Sequence, residues 1–175
     1  PNGLNAVLGA PFVSYIVKAD PKYDLFTFDP ERDIAALDSG IAAAHVHQQN
    51  PDIAAFVARG GKLLLWHGFN DPGPSPLSTI AYFAAVNGKV PAAKDSVRLF
   101  LAPGVLHCGG GTGPDQLDTL TALERWVERG SMPERLVATK ANSPLTRPLC
   151  AYPRLARYKG SGDTNDPASF DCAAP

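Results

Sequence analysis

A histidine and a cysteine stand side by side in a glycine-dense segment, Pro103 to Gly111, which directly follows the apolar run Val97 to Ala102. A short apolar run that ends at a proline and a glycine is typical of a buried strand. The glycines allow the next loop to turn tightly with positive φ at little steric cost. We therefore expect a strand over Val97 to Leu101, followed by a loop that leaves the imidazole of His107 facing a cleft.

A second apolar run, Lys62 to Trp66, leads into the polar turn His67 to Pro72, which carries Asp71. Its near-continuous apolar character suits a parallel strand that is covered on both faces. The 36 positions from Asp71 to His107 leave room for one helix and one strand, so the two loops can meet at the same edge of a sheet. Asp71 would then orient His107 as a general base. An Asp-Pro turn is also common as a purely structural feature, and we expect His67 to hydrogen-bond within the turn without a catalytic role.

This order, acid before base, is that of the α/β-hydrolases, in which a nucleophile precedes both. The sequence contains no Gly-x-Ser-x-Gly, and Ser14, which has apolar neighbours, lacks the flanking glycines of a nucleophile elbow. Two explanations remain open. The chain is the C-terminal part of a longer hydrolase, or it has lost the chemistry.

The motifs resemble those of the tannase and feruloyl esterase family over roughly residues 12 to 172. The resemblance is carried by a set of short segments: Gly60 to Gly68, Asp71-Pro72, Ser75-Pro76-Leu77, Pro103-Gly104, His107 to Gly111, Arg147 to Pro153, Ala156-Arg157-Tyr158, Gly162-Asp163 and Phe170-Asp171-Cys172. The set is far more specific than any one of its members. It implies α/β architecture: the C-terminal part of an α/β-hydrolase fold, with parallel strands, covering helices and an incomplete sheet.

The resemblance also implies roles for individual residues. Asp71 corresponds to the triad acid, His107 to the triad base, and Cys108 to a half-cystine whose partner precedes the nucleophilic serine. That serine, in a Gly-Cys-Ser-x-Gly-Gly elbow, has no counterpart here, and most of the family's lid domain is also missing. The family's calcium site belongs to the lid. We therefore expect no cofactor and no metal in this chain, which has no Asp-x-Asp-x-Asp-Gly loop.

The three cysteines are an odd number, which implies a partner elsewhere if the protein is of the secreted type. Cys150 and Cys172 enclose a tail rich in proline, glycine and aspartate, which has little besides a covalent bond to hold it. A disulfide between them would close a loop of about 20 residues and contribute about 3 kcal/mol. Cys108 is then left with a partner outside the chain. The alternative is a reduced cytosolic protein with three buried thiols.

We divide the chain into three regions. Residues 1–30 are expected to be irregular, with one short strand over Phe12 to Val17, and the resemblance implies that they are the exit from the lid region. Residues 31–149 are the C-terminal part of the hydrolase core, and residues 150–175 are the disulfide-stapled tail. Short helices are predicted over the following segments: Glu31 to Leu37, Ser39 to Gln48, Asp52 to Arg59 and Pro76 to Val86. A longer helix is predicted over Gln116 to Arg129, with a stripe of Leu117, Leu120, Leu123 and Val127 covering the sheet.

Composition excludes several other classes. A net charge of −1 gives no electrostatic case for binding to nucleic acid or membranes. No apolar run approaches the ~20 residues of a membrane span, and no signal peptide is visible at the N-terminus. His45 and His47 lack further ligands at zinc spacing. Trp66, Phe69 and Tyr82 could line an aromatic pocket, although aromatic residues beside a strand are more often part of the core.

The resemblance implies that the chain is part of a secreted or periplasmic serine carboxylesterase that cleaves phenolic-acid esters such as feruloyl or galloyl esters. Only two sheet strands are evident, so we expect their exposed edge to pair with the N-terminal part of the same enzyme. Without the serine, this chain alone is expected to be inactive. Two alternatives remain: a non-catalytic module that binds carbohydrate or a partner, and an esterase of the same fold that acts on other aromatic esters.

Overall fold

A computed structural model describes residues 4–37, 39–40, 45–46 and 48–175. The chain forms two compact units, Pro1–Asn50 and Pro51–Pro175. The boundary predicted at residue 30 stays a prediction. Half of the helix predicted over Ser39 to Gln48, including His47, lies outside the described residues.

The regular structure described in the first unit is helical. Helix α1 (Leu4–Pro11) runs into a π-helical segment, Phe12–Val17, so the strand predicted there is wrong. Pro11 has helical backbone angles, φ −61° and ψ −38°, so the helical backbone continues through this residue. Helix α2 (Pro30–Leu37) agrees with the prediction. Its Asp33 accepts hydrogen bonds from Arg32 and Lys18, which hold the pKa of this carboxyl well below its usual range.

Two parallel strands form the centre of the second unit. Strand β1 (Leu63–Gly68) pairs with β2 (Val97–Ala102) in parallel register from Leu63 opposite Val97 to Gly68 opposite Ala102. Helix α4 (Pro76–Lys89) connects them and is capped by Ser75, whose side chain accepts a hydrogen bond from the Leu77 amide. This strand, helix, strand order confirms the α/β prediction, although α4 continues past its expected end at Asn87-Gly88.

Apolar side chains cover both faces of this pair, as expected for buried parallel strands. Helices α3 (Ala54–Ala58) and α4 cover one face. The buried cluster on this face consists of Val86, Val90, Ala93 and Val97. Partly buried side chains pack against it, among them Ile53, Val57, Leu63 and Leu65. The other face packs into a second cluster, centred on Phe100, Val105, Leu136 and Leu149. The two clusters hold the ends of β1 and β2 in place.

Sequence patterns missed an antiparallel sheet beside the parallel pair. It consists of β3 (Gln116–Leu117), β4 (Arg135–Thr139) and β5 (Thr146–Cys150), in the order β3-β4-β5. A single antiparallel bridge from Phe100 to Ala151 places the end of β5 beside β2. The outer edge of β1 has no strand beside it within the described part of the chain.

Helix α5 (Thr119–Arg129) starts later than predicted because Gln116 and Leu117 pair with β4. The predicted covering stripe is also wrong in part. Leu120 and Val127 are 66% and 60% exposed, whereas Trp126 is 2% exposed. Ala122 packs against the second cluster, and α5 contacts β1. The ammonium group of Lys62 lies 5.5 Å from the centroid of the Trp126 ring.

The C-terminal tail forms a hairpin of β6 (Leu155–Tyr158) and β7 (Phe170–Ala173). Cys150 and Cys172 are disulfide-bonded with their Cα atoms 5.6 Å apart, which confirms the predicted pairing. The ring of Phe170 lies against Tyr158 and under the guanidinium of Arg147. The tail is therefore more regular than its composition indicates.

Candidate active site

The candidate site lies where β1 and β2 end together. Gly68 is opposite Ala102 in the parallel register, so the loops that follow leave the same edge of the sheet. The Phe69 amide donates to the Ala102 carbonyl at 2.9 Å, and the Asn70 amide donates to the Val105 carbonyl at 3.0 Å. The two loops thus form one hydrogen-bonded layer above the strand ends.

Two features let these loops approach so closely. A Cβ atom added to Gly68 would lie 2.2 Å from the backbone oxygen of Leu106, so only glycine fits without a shift of the backbone. The side chain of Asn70 also accepts a hydrogen bond from the Gly104 amide at 2.9 Å. Sequence analysis missed this cross-loop role of Asn70, because a single asparagine in a turn gives no signal for it.

Asp71 and His107 meet in this layer. The Nδ1 atom of His107 lies 2.8 Å from Oδ2 of Asp71. The side chain of Asp71 is only 3% exposed, whereas that of His107 is 43% exposed. A buried carboxylate therefore orients an accessible imidazole through Nδ1, which leaves Nε2 available for proton transfer.

The other contacts of Asp71 keep it ionised. The Gly73 amide donates to Oδ1 at 2.8 Å, and Nε2 of His67 lies 3.2 Å from Oδ2. Burial by itself raises the pKa of the Asp71 carboxyl, but the hydrogen bonds from His107, Gly73 and His67 outweigh it and hold the pKa below its usual value. The carboxylate is thus charged at neutral pH, as the orientation of an imidazole requires.

His67 lies deeper than His107. Its Nδ1 atom is 2.7 Å from the hydroxyl of Thr79, and its Nε2 atom is 3.2 Å from the Pro74 carbonyl oxygen as well as from Asp71. The hydrogen bonds within the turn agree with the sequence-based expectation for this residue. The direct contact with Asp71 and the link to Thr79 on α4 were not predicted.

The loop after His107 adopts the expected backbone with positive φ. Cys108 has φ +58°, and Gly110 and Gly111 have φ of +76° and +83°. A Cβ atom on Gly111 would lie 2.2 Å from the Gly104 oxygen, so this turn requires glycine.

Two charged residues hold this loop from outside. The Gly110 amide donates to Asp115 at 2.7 Å, and Lys140 donates to the carbonyl oxygens of Gly111 and Gly113, each at 2.9 Å. Lys140 also lies 3.7 Å from Asp115. Neither residue was identified from the sequence, because both lie outside the motif and contact it mainly through its backbone.

A cavity of about 170 Å³ contains the pair and is lined in part by Trp66, Cys108 and Pro74. Of the three aromatic residues predicted to line a pocket, only Trp66 is in this cavity. Phe69 lines a separate apolar pocket of about 320 Å³ beside β5 and β6. Tyr82 packs against the core cluster that contains Val86.

The thiol of Cys108 is exposed and forms no disulfide within the described residues.

Among the described residues, no group of three or more His, Cys, Asp or Glu side chains is arranged to hold a metal ion. No described helix is both long and apolar enough to cross a membrane.

The family model for tannase and feruloyl esterase matches residues 4–173. The chain belongs to this family. A protein of similar sequence is the mono(2-hydroxyethyl) terephthalate hydrolase of Piscinibacter sakaiensis, which is 48% identical over 130 residues, or 71% of this chain and 22% of that protein. A protein of Arthroderma benhamiae named probable feruloyl esterase is 39% identical over 95% of this chain and 33% of its own length.

The fold agrees with this assignment. The crystal structure of an esterase from Aspergillus oryzae superposes with a TM-score of 0.81 at 28% identity, covering 94% of this chain and 37% of that one. The architecture is thus that of part of an α/β-hydrolase of the tannase and feruloyl esterase type. The chain spans about a third or less of the length of these relatives.

Proposed function

We propose that this chain supplies the acid and the base of a serine carboxylesterase that cleaves aromatic esters, with phenolic-acid esters such as feruloyl and galloyl esters as the substrate class. The observation that carries the proposal is the 2.8 Å contact between the buried Asp71 carboxylate and Nδ1 of the accessible His107. No serine hydroxyl of the described residues is hydrogen-bonded to His107. The proposal therefore places the nucleophile outside these 175 residues.

In the first half-reaction, Nε2 of His107 accepts the serine proton while the serine oxygen attacks the ester carbonyl carbon. The tetrahedral intermediate collapses when the bond to the alcohol oxygen breaks, and His107 returns the proton to that oxygen. The second half-reaction repeats these steps with water, which releases the acid and restores the serine. General acid–base catalysis of this kind contributes roughly 10²- to 10⁴-fold to the rate.

Asp71 fixes the His107 tautomer and stabilises the imidazolium that forms in both half-reactions. Its low exposure favours this role, because a charge interaction is stronger where water is excluded. Donors for the oxyanion would come from backbone amides near the serine, outside this chain.

The remaining part of the enzyme would pack on this chain at two places. The outer edge of β1 has no strand beside it within the described residues, which favours the addition of a parallel strand there. Cys108 is exposed next to His107, so a cysteine beside the serine could form a disulfide with it. Disulfides persist in oxidising compartments, so the Cys150–Cys172 bond favours a secreted or periplasmic location.

One relative broadens the proposed substrate class. The Piscinibacter sakaiensis protein is named for a terephthalate ester, which is an aromatic ester without a phenolic hydroxyl. Its sequence identity to this chain, 48%, is higher than the 39% of the probable feruloyl esterase. This favours other aromatic esters as a second candidate class.

The test is hydrolysis of methyl ferulate, methyl gallate and mono(2-hydroxyethyl) terephthalate by the enzyme that contains this chain, with methyl acetate as a non-aromatic control. We expect turnover of at least one aromatic ester and its loss in His107→Ala. Aromatic esters that bind without turnover would instead support a non-catalytic binding module. Intact mass before and after reduction, which releases a disulfide-bonded peptide if one is present, tests the proposed partner of Cys108.

A further inference from the structure

We propose that His67 is a positioning residue that fixes the carboxylate of Asp71 for its contact with His107. The inference builds on the proposed function, because it concerns the proposed triad acid. Sequence reasoning gave His67 no part in the site, since a histidine at a strand end is commonly a structural feature of the turn.

The surroundings of His67 define which of its nitrogens carries a proton. Nε2 lies 3.2 Å from two oxygens, Oδ2 of Asp71 and the carbonyl oxygen of Pro74. An ionised carboxylate and a carbonyl can only accept, so Nε2 must be the donor. The Thr79 hydroxyl lies 2.7 Å from Nδ1 and can donate to it when Nε2 carries the proton.

This donor restrains Asp71 in a way that His107 alone does not. The terminal torsion of an aspartate is broad and roughly two-fold, so a single hydrogen bond leaves the carboxylate free to turn. Here Oδ1 is held by the Gly73 amide at 2.8 Å, and Oδ2 is held by His67 at 3.2 Å and by His107 at 2.8 Å. Rotation of the carboxylate would break all three contacts.

The restraint is anchored on regular structure. His67 belongs to β1, and Thr79 belongs to the first turns of α4. The side chain of His67 is 14% exposed, so little water competes for its hydrogen bonds. A chain of contacts thus runs from α4 through Thr79, His67 and Asp71 to His107, and it holds the accessible imidazole on the strand ends. Preorganised support of this kind keeps a catalytic group in its productive geometry.

Two amide variants of His67 separate this role from a general effect on stability. Glutamine places its side-chain NH₂ near the position of Nε2, and so keeps the donor to Asp71. Asparagine is shorter, reaches only the position of Nδ1 beside Thr79, and loses that donor. Both side chains are uncharged amides. If His67 only stabilised the fold, the donor to Asp71 would not matter, and it would not make the glutamine variant more active than the asparagine variant.

Kinetics of the enzyme that contains this chain are the first measurement. We expect His67→Asn to lower kcat by about 10- to 100-fold, the range for one hydrogen bond to a charged group, with KM changed by less than about threefold. His67→Gln should retain most of the activity. Thr79→Val should lower kcat by up to about tenfold by removing the donor to Nδ1, and Thr79→Ser should restore it.

Proton NMR of the same variants needs no catalysis. The proton between Nδ1 of His107 and Asp71 resonates far downfield of other imidazole protons when its hydrogen bond is ordered. We expect this resonance in the unmodified protein and in His67→Gln, and its broadening or loss in His67→Asn.

The two measurements separate failure of this inference from failure of the proposed function. Equal losses in both amide variants, or an unchanged downfield resonance in His67→Asn, would overturn the positioning role. If no ester is cleaved by the unmodified enzyme, the proposed function fails, and the resonance alone still decides whether His67 orders Asp71.

Discussion

The disulfide between Cys150 and Cys172 allows a quantitative test of how the C-terminal hairpin is held. Serine at position 172 removes the bond and leaves Cys150, which is 6% exposed, in place. The native contacts of the hairpin do not require the bond, because β6 and β7 pair along four residues each and Phe170 packs on Tyr158. We therefore expect the change to act mainly on the unfolded chain.

The sequence separation sets the expected magnitude. Loss of a cross-link over 22 residues returns about 11 cal/mol/K to the unfolded chain, or about 3.4 kcal/mol at 25 °C. With a urea m-value of roughly 2 kcal/mol/M, the unfolding midpoint should fall by about 1.7 M. The m-value itself should rise, because the uncrosslinked chain exposes more surface when it unfolds.

The assay is urea unfolding followed by circular dichroism, for the unmodified protein and Cys172→Ser, with and without reductant. Reductant should lower the midpoint of the unmodified protein to that of the variant and leave the variant nearly unchanged. This pairing controls for the serine itself. A difference below about 1 kcal/mol without reductant would refute the argument that unfolded-chain entropy dominates the contribution of this bond.

Three further predictions concern the site. Asp71→Asn should lower ester hydrolysis by about 10³- to 10⁴-fold, because the amide no longer fixes the His107 tautomer; a loss below tenfold would contradict its role as the acid. Because the pKa of Asp71 lies below its usual value, its charged form stabilises the fold above about pH 4, and this stability is lost as the pH falls through the folded pKa. The decline in unfolding free energy on acidification, followed by urea unfolding at successive pH values, should therefore be shallower in Asp71→Asn. Lys140→Met removes the donor to the carbonyls of Gly111 and Gly113 and should lower kcat about tenfold with little change in KM. Lys140→Arg should recover part of the loss. Equal activity of Lys140→Met and the unmodified enzyme would show that the loop keeps its shape without this donor.

Local patterns were sufficient for the framework of the second unit. The apolar runs that became β1 and β2 are short and bounded by turn residues, so their type and near-exact ends could be predicted. The positions of Asp71 and His107 just beyond two parallel strands follow from the same runs, because parallel strands deliver their carboxyl ends to one edge. Cysteine spacing gave the Cys150–Cys172 pair.

Local patterns were misleading where a distant partner decides the structure. Residues 116 and 117 continue a helical periodicity, yet they pair with Thr139 and Ala138 of β4. The apolar stripe with Leu120 and Val127 has good helical spacing, but packing of the larger Trp126 sets which face is buried. Strands β4 and β5 gave too weak a signal to be recognised before their pairing was known.

By itself, the sequence determined the order β1, α4, β2 and α5, the two loops that carry Asp71 and His107, and the C-terminal cross-link. Each of these follows from residue types at short spacing, which fix backbone conformation locally. Only the tertiary structure placed His67 and Thr79 behind Asp71, and Asp115 and Lys140 behind the loop of His107. These contacts join side chains to groups that come together only when the sheet, α4 and the loops pack, and hydrogen bonds formed across such packing leave no periodic trace in the sequence.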